Sequence, residues 1–306
     1  MFELSFADLL ALQKNAKPYR FRAQHHQYGG AMLQTKIRGR GMDFVETRNY
    51  QAGDDIRLMD WRVTARTNKP HIKVFEMERE RPVMLVLHYA PSMFFGSRSC
   101  LKSVTAGRLA AMLAWTAKAH GDRVGGVLSS LASQQMWLPH AHNQTLMLFL
   151  KSIATASSHY ADASWNDWQS QSSANVLIDT LQDVHQHLKP GALLVIISDW
   201  YDELAGLHPL MFKLRQEHDL IFYHILDELE LGINTYGIYP LGNGKLSQNL
   251  VLQNQRALTT YNRFCGERLE KMQEFSRKLR IPYYHLTAAN DLNLIVRQSL
   301  TRGLRG

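Results

Sequence analysis

Three short apolar runs, separated by helical stretches, constrain the fold of this chain more than any other feature of its sequence. The runs are Val83–Leu87, Ala192–Ile197 and Leu220–Leu226, the last interrupted by His224. A strand with one wet face alternates apolar and polar residues, whereas strands of a parallel sheet covered by helices on both sides are apolar throughout. The pattern therefore predicts an α/β fold with a doubly wound, mostly parallel, Rossmann-like sheet.

The segments between these runs carry helix signals. Ser103–His120 has apolar residues at helical spacing and stops at Gly121, a residue type that commonly ends helices. Ser5 and Asp8 have the spacing of a capping box and predict a short N-terminal helix. The other predicted elements are strands at Ile72–Met77, Asp122–Leu128 and Ile281–Leu286, a hairpin arm at Gln135–Leu138, a hairpin turn at Leu241–Gly244, and helices at Leu146–Ala156, Asn175–Leu188, Pro209–Glu217, Leu258–Leu279 and Ala289–Leu300.

A change of character near residue 82 predicts two parts. Residues 1–82 combine the N-terminal helix with a motif-rich segment containing short β elements, which we expect to pack on the main domain. Residues 83–306 form the α/β domain. In such sheets ligands bind at the carboxyl ends of strands, where the strand order switches. We therefore expect the loops after Leu87 and Ile197 to form the functional edge.

Composition narrows the class of protein. A hydrophobic fraction of 45% and a charged fraction of 20% are typical of globular chains, and no apolar run approaches the ~20 residues that span a bilayer. The N-terminus lacks the basic start and the cleavage site of a signal peptide. Cys100 and Cys265 are isolated, which disfavours a structural zinc site and favours a reducing compartment. We expect a cytoplasmic protein without a membrane span.

The segment Arg38–Glu80 is too polar for a core and too patterned for a linker. Asp54 and Asp55 follow a glycine and predict a turn, because Asp side chains bond their own backbone in turns. Arginines interleave with acids around Asp60, which predicts a structural ion-pair network whose members need one another. The residues assigned to this structural and interaction motif are Arg38, Arg48, Asp54, Asp55, Arg57, Asp60, Trp61 and Arg66.

Ordered motifs extend this pattern over most of the chain. They are Arg38-Gly39-Arg40-Gly41, Gly53-Asp54-Asp55, Asp60-Trp61, Ser92-Met93-x-x-Gly96, Gly121-Asp122-Arg123-Val124-Gly125, Ser198-Asp199 and Leu226-Asp227-x-x-Glu230. In this order they resemble the bacterial family called Domain of Unknown Function fifty-eight. The resemblance implies a von Willebrand factor A-like domain behind the motif-rich segment. It also implies a non-enzymatic interaction module that acts with a MoxR-type AAA+ ATPase on an unknown protein client, in assembly, maturation or metal insertion.

The resemblance further implies the place of a metal ion-dependent adhesion site, with the pattern Asp-x-Ser-x-Ser after the first strand and an Asp from a later loop. The matching positions are His88, Ala90 and Ser92, with Asp199 from the later loop. Mg²⁺ requires hard oxygen ligands in near-octahedral geometry, and this site has lost a carboxylate and a hydroxyl. We expect a degenerate site with weak or absent Mg²⁺ and no other cofactor.

Without an ion, His88 and Asp199 are expected to hydrogen-bond to each other across the top of the sheet. Chelation of zinc or nickel by the same two residues is the alternative, because imidazole suits these metals.

Two other function classes stay open. A metal-dependent hydrolase would use Asp54, Asp55 and Asp60, with His71 nearby in sequence. A nucleic-acid-binding protein would exploit the net charge of +8. No dense Lys/Arg block occurs, however, and the basic residues of Arg38–Glu80 are interleaved with acids. We therefore expect protein partners rather than nucleic acid, and no catalytic residues.

Overall fold

The computed structural model describes residues 3–18, 42–51, 54–77, 81–97, 100–130, 133–162, 176–201, 204–242 and 247–301. The chain divides into two compact units, a smaller one at Gln27–Glu80 and a larger one made of Met1–His26 and Arg81–Gly306. In chain order the elements are α1 (Phe6–Ala11), β1 (Met42–Asn49), α2 (Trp61–Thr67), β2 (His71–Met77), β3 (Pro82–Tyr89), α3 (Lys102–His120), β4 (Arg123–Ser130), β5 (Gln134–His140), α4 (Asn143–Asp162), α5 (Val176–His187), β6 (Leu193–Ser198), α6 (Leu204–Glu217), β7 (Asp219–Ile225), β8 (Gly237–Gly242), β9 (Ser247–Leu252), α7 (Gln255–Leu279), β10 (Tyr283–Leu286) and α8 (Leu292–Thr301).

The larger unit is built on a six-stranded sheet with the order β10-β7-β6-β3-β4-β5. All neighbouring strands are parallel except β5, which pairs antiparallel with β4 at one edge. The chain enters at β3, proceeds to β4 and β5 on one side, and returns to β6, β7 and β10 on the other. The strand order therefore switches between β3 and β6. This arrangement confirms the predicted mostly parallel α/β sheet flanked by helices, which is consistent with a Rossmann-like fold.

Each face of the sheet has its own hydrophobic core. On β3, Val83, Leu85 and Leu87 point into a core shared with α1, α3, α4 and α8. Met84 and Val86 point into the opposite core, shared with α5, α6 and α7. Because successive strand residues face opposite sides, both sides of β3 are apolar. This explains why the strand contains an uninterrupted apolar run.

The N-terminal helix belongs to the larger unit, whereas the sequence prediction grouped it with the motif-rich segment. Its capping box forms as predicted between Ser5 and Asp8. The backbone amide of Leu4 donates to Ser157 Oγ at 3.1 Å, and Trp115 Nε1 donates to the carbonyl of Leu9 at 3.0 Å. These contacts with α4 and α3 fix α1 beside the sheet. The predicted packing of the motif-rich segment on the main domain stays a prediction.

The smaller unit is an antiparallel pair, β1 with β2, joined through α2. Asp60 caps α2, because its Oδ1 accepts from the backbone amides of Arg62 and Val63, both at 3.1 Å. Asn68 ends α2 in the left-handed conformation, a common helix terminator. Local caps therefore account for the sharp bounds of this short helix.

Two glycines provide a test of how closely β4 is packed. A Cβ on Gly126 would come within 2.5 Å of the Phe149 ring, whereas a Cβ on Gly266, in α7, would meet nothing within 4 Å. We expect Gly126→Ala to lower the free energy of unfolding by about 1–3 kcal/mol, because overpacking forces the core to shift. Gly266→Ala should raise it by about 0.5–1 kcal/mol, because alanine favours the helix. Urea unfolding monitored by circular dichroism measures both changes. Equal effects of the two substitutions would contradict this packing.

A buried charge network as the candidate functional site

A row of polar side chains crosses the sheet near the carboxyl ends of its strands. His88 of β3 is in register with Ser129 of β4, and Ser198 of β6 is in register with His224 of β7. All four are at most 1% exposed. His88 Nδ1 lies 3.4 Å from Ser129 Oγ, and His224 Nδ1 lies 2.7 Å from the hydroxyl of Tyr283. The apolar core shared with α5, α6 and α7 therefore ends, at the carboxyl edge of the sheet, in a layer of hydrogen-bonded side chains.

Beyond this layer, two cations and two anions form a charge network, in which Lys102 and Asp199 are buried and Glu230 and Arg268 are partly buried. Lys102 Nζ donates to Asp199 Oδ2 at 2.9 Å and to Glu230 Oε1 at 3.2 Å. Arg268 Nη1 donates to the same Glu230 oxygen at 2.9 Å, and its Nη2 donates to the backbone carbonyl of Asp199 at 2.7 Å. The Lys102 and Asp199 side chains are 2% and 0% exposed. The formal charges of the four side chains sum to zero.

Four different elements supply these side chains. Lys102 is the first residue of α3, and Asp199 follows the last residue of β6. Glu230 lies in the 3₁₀ turn Glu228–Leu231 after β7, and Arg268 is on α7. A capping box fixes the turn, since Asp227 accepts from the Leu229 amide and Glu230 accepts from the Asp227 amide. The network thus joins β3–α3, β6, β7 and α7 at the switch in strand order.

Electrostatics hold the network in its charged form. Burial alone raises the pKa of Asp199, but Lys102, a hydrogen bond from Ser92 and the more distant Arg268 lower it, and the resulting pKa is about 2. Burial lowers the pKa of Lys102, yet Asp199 and Glu230 outweigh burial and raise it. Each ion of the pair is therefore stabilised by the other, as a buried pair requires.

An exposed aromatic side chain covers the network. The Tyr201 ring lies 3.3 Å from the Arg268 guanidinium carbon and 5.3 Å from Lys102 Nζ, measured to the ring centroid. Stacking of this kind is a cation–π interaction. Tyr201 remains 48% exposed, so one aromatic face shields the charges while the other part of the ring meets solvent.

The structure places the four predicted adhesion-site positions at this edge, but with a different pairing. Ala90 and Ser92 flank the start of the 3₁₀ turn Pro91–Phe94. Ser92 forms a side-chain hydrogen bond with Asp199 that lowers the pKa of this carboxyl group. The predicted hydrogen bond between His88 and Asp199 is wrong, because Asp199 pairs with Lys102 while His88 pairs with Ser129. His88 belongs to the row that faces the α5 side of the sheet, where Ser129 also contacts Thr180 of α5.

Sequence reasoning missed Lys102, Arg268 and Tyr201. Lys102 opens a long apolar helix, where a lysine ordinarily reaches solvent, and Arg268 is one of several basic residues on the polar helix α7. The position of Lys102 at the start of a predicted helix is one sequence signal for a nearby anion, because a cation at a helix N-terminus is unfavourable unless an anion compensates it. The motif at Asp227 and Glu230 gave no indication that its second acid faces Lys102.

The motif residues of the smaller unit have local structural roles. Asp54 forms a bidentate pair with Arg48, at 2.7 and 2.9 Å, and this pair together with the Gln51 amide lowers the pKa of Asp54. Asp55 caps the 3₁₀ turn Ile56–Leu58 by accepting from the Arg57 amide. Asp60 caps α2 and lies 3.9 Å from Lys73 Nζ, a local role in place of the predicted pairing with arginines.

The remaining motif residues differ in how far the structure describes them. Trp61 and Arg66 are exposed on α2. Arg38 and the acids at 78–80 lie outside the described residues.

The hydrolase alternative needs its carboxylates to converge on one ion. Within the described ranges, only His185, Glu217 and His218 form a group of three or more His, Cys, Asp or Glu side chains close enough to share a metal. Asp54, Asp55, Asp60 and His71 are all described and are not brought together in this way. Their arrangement therefore gives no support to a metal-dependent hydrolase in the smaller unit.

A comparison with protein families places most of the chain in a family without an assigned activity. Residues 46–266 match the family described as "Protein of unknown function DUF58". Uncharacterized proteins of Mycobacterium bovis and Mycobacterium tuberculosis are 29% identical over 201 residues, which is 66% of this chain and 60% of each relative. The conserved hypothetical protein BatB from Bacteroides thetaiotaomicron superposes with a TM-score of 0.44 at 15% identity, covering 72% of this chain and 96% of that one. Within the described residues, no helix has the length and apolarity needed to cross a membrane.

Removing the lysine tests the charge network. We expect Lys102→Met to lower the free energy of unfolding by about 3–5 kcal/mol, because it leaves a buried carboxylate without its cation. Adding Asp199→Asn should restore part of the loss. Lys278→Met is the matched control, since Lys278 is 64% exposed in a surface pair with Glu274 and should change stability by less than about 1 kcal/mol. Urea unfolding of the four proteins gives the values, and equal losses for the two lysines would argue against the network.

The polar row predicts a pH dependence. Burial, followed by Arg268, lowers the pKa of His224 to about 3 from the ordinary 6.5. Between these pH values the unfolded chain binds one more proton than the folded chain, so stability falls as the pH falls, by up to about 1.4 kcal/mol per pH unit. His224→Gln should reduce this slope, measured by urea unfolding between about pH 6.5 and 4.5. His285→Gln, at an exposed position of β10, is the control and should leave the slope unchanged. If His224→Gln also leaves the slope unchanged, His224 is not the source of the pH dependence.

Proposed function

We propose that this chain, which belongs to the DUF58 family of proteins of unknown function, is a non-enzymatic protein-interaction module. It would act with a MoxR-type AAA+ ATPase in the assembly or maturation of other proteins. The observation that carries the proposal is the buried network of Lys102, Asp199, Glu230 and Arg268 at the carboxyl edge of the sheet. In a Rossmann-like sheet this edge is where ligands bind, and here its charges are already paired within the chain.

The same edge would be a degenerate adhesion site of a von Willebrand A-like domain. Where the Asp-x-Ser-x-Ser pattern would supply a carboxylate and two hydroxyls, the chain has His88, Ala90 and Ser92. The carboxylate of Asp199 is bound by the Lys102 ammonium at 2.9 Å. This donor set does not fit Mg²⁺, because the ion needs several hard oxygen ligands and its charge would add to those of Lys102 and Arg268. We infer that Lys102 is an internal cation in the place of a metal.

A rim of exposed apolar side chains next to the network supplies the docking surface. Tyr201 stacks on Arg268, Leu231 directly follows Glu230, and Phe264 lies one helical turn before Arg268 on α7. Their exposed fractions are 48%, 49% and 56%. Exposed aromatic and aliphatic side chains around a desolvated charged centre are typical of binding hot spots. This rim favours recognition of a protein over turnover of a small substrate.

The smaller unit supplies further apolar side chains for a partner. Ile56, Leu58 and Trp61 lie within six residues of one another and are 60%, 39% and 68% exposed. They are held by the caps at Asp55 and Asp60. Tryptophan is strongly enriched in interface hot spots. We therefore propose that this surface, too, contacts the ATPase or its client, in the cytoplasm where an AAA+ ATPase has access to ATP.

Co-purification with a MoxR-type ATPase of the same organism tests the proposal. The wild-type chain should retain the ATPase, and the triple substitution Tyr201→Ala, Leu231→Ala and Phe264→Ala should weaken binding at least tenfold, about 1.4 kcal/mol. Phe212→Ala is the control, because Phe212 is 52% exposed on α6 and is not part of the rim. Failure of the wild-type chain to bind the ATPase would contradict the partnership. Full binding by the triple variant would contradict the rim as its surface.

A further inference from the structure

Three metal-ligating side chains meet on the larger unit, away from the charge network. They are His185, Glu217 and His218, each of which offers one ligand atom within 4.8 Å of the other two. His185 Nδ1 and Glu217 Oε2 are 3.5 Å apart. Glu217 ends α6 and His218 directly precedes β7, so the cluster lies at the amino end of that strand. The charge network lies at the carboxyl end of the same sheet.

His218 is an unusual buried residue within this cluster. It is 1% exposed, and within the described part of the chain neither of its ring nitrogens has a hydrogen-bond partner. Buried polar groups almost always have a partner, because leaving one unsatisfied costs roughly 1–3 kcal/mol. The Nδ1 of His185 likewise has no hydrogen-bond partner. Two imidazoles therefore converge on a carboxylate, and three of their ring nitrogens make no hydrogen bond within the described residues.

We propose that His185, Glu217 and His218 form a binding site for a divalent first-row transition metal ion, with Zn²⁺ as the best fit. Two imidazoles and one carboxylate are a ligand set that zinc accepts, with a fourth position left for water or another ligand. Zinc–nitrogen and zinc–oxygen bonds of about 2.0–2.2 Å place neighbouring ligands of a tetrahedron somewhat over 3 Å apart. The 3.5 Å between His185 Nδ1 and Glu217 Oε2 matches this spacing.

The surroundings of the three side chains favour a cation, and burial keeps the His218 imidazole neutral. His185 lies in the last turn of α5, and Glu217 is the last residue of α6. Helix C-termini carry partial negative charge and attract cations. Burial lowers the pKa of His218 to about 4, so its imidazole is neutral near pH 7 and can ligate a metal. The side chains of His185 and Glu217 are 15% and 35% exposed, which gives an ion a route from solvent.

A bound ion would connect the end of α5 to the junction of α6 and β7. These elements also share the core beneath the site. Because metal binds the folded chain and not an unfolded arrangement of the same ligands, its binding energy adds to stability. The site would thus act as a clip on the face of the sheet opposite α3.

Zinc titration of the full-length, metal-stripped chain tests the proposal. We expect one equivalent of Zn²⁺ to bind by isothermal titration calorimetry and to raise the melting temperature. Glu217→Gln and His218→Gln should each weaken binding at least tenfold. If His218→Gln does not fold, Glu217→Gln decides the test, because its side chain is partly exposed and its loss leaves the core intact.

A second histidine pair provides the matched control. His140 and His142 are exposed and stacked, with ring centroids 5.0 Å apart, and could attract zinc adventitiously. His140→Gln with His142→Gln should leave the stoichiometry and the thermal shift unchanged. The proposal is overturned if the wild-type chain binds no zinc, or if binding survives Glu217→Gln and disappears in the His140/His142 variant.

Discussion

The buried ion pair between Lys102 and Asp199 is the interaction on which the carboxyl edge of this protein depends. Neither charge is stable there alone, because taking an ion out of water costs several kcal/mol even after relaxation. Lys102 carries the additional disadvantage of standing at the positive end of α3. A second pair, Glu230 and Arg268, lies beside it, and Lys102 and Arg268 share one Glu230 oxygen. The chain therefore has to bring α3, β6, the turn after β7 and α7 to one point.

This requirement links the fold to the proposed function. A switch in strand order opens a crevice at the carboxyl edge, which in related architectures receives a ligand. Here the crevice is filled by the protein's own cations, and Tyr201 covers them. In the proposed function a partner contacts the rim of Tyr201, Leu231 and Phe264, of which Tyr201 stacks on Arg268. With its charges paired internally, the edge fits the proposed recognition of a protein surface better than the binding of a small charged substrate.

The sequence predicted the central sheet well and the charge network poorly, for a physical reason. Runs such as Val83–Leu87 are local signals, because burial on both faces excludes polar residues from every position. The sequence predicts α6 from Pro209, because proline is common at helix starts, whereas the helix begins at Leu204 and Pro209 lies inside it. β1 was missed because Met42–Asn49 is polar and becomes a strand only by pairing with β2. Lys102 and Asp199 are 97 positions apart, and no local pattern records which buried charge will meet which.

We propose that Lys102 takes the place of a metal ion at Asp199. The decisive measurement is a crystal structure of the protein grown with Mn²⁺, with an anomalous difference map. We expect no anomalous peak at the carboxyl edge, and Lys102 Nζ within hydrogen-bond distance of Asp199. A manganese ion bonded to Asp199 and Ser92, with Lys102 turned away, would show that the lysine does not replace the ion.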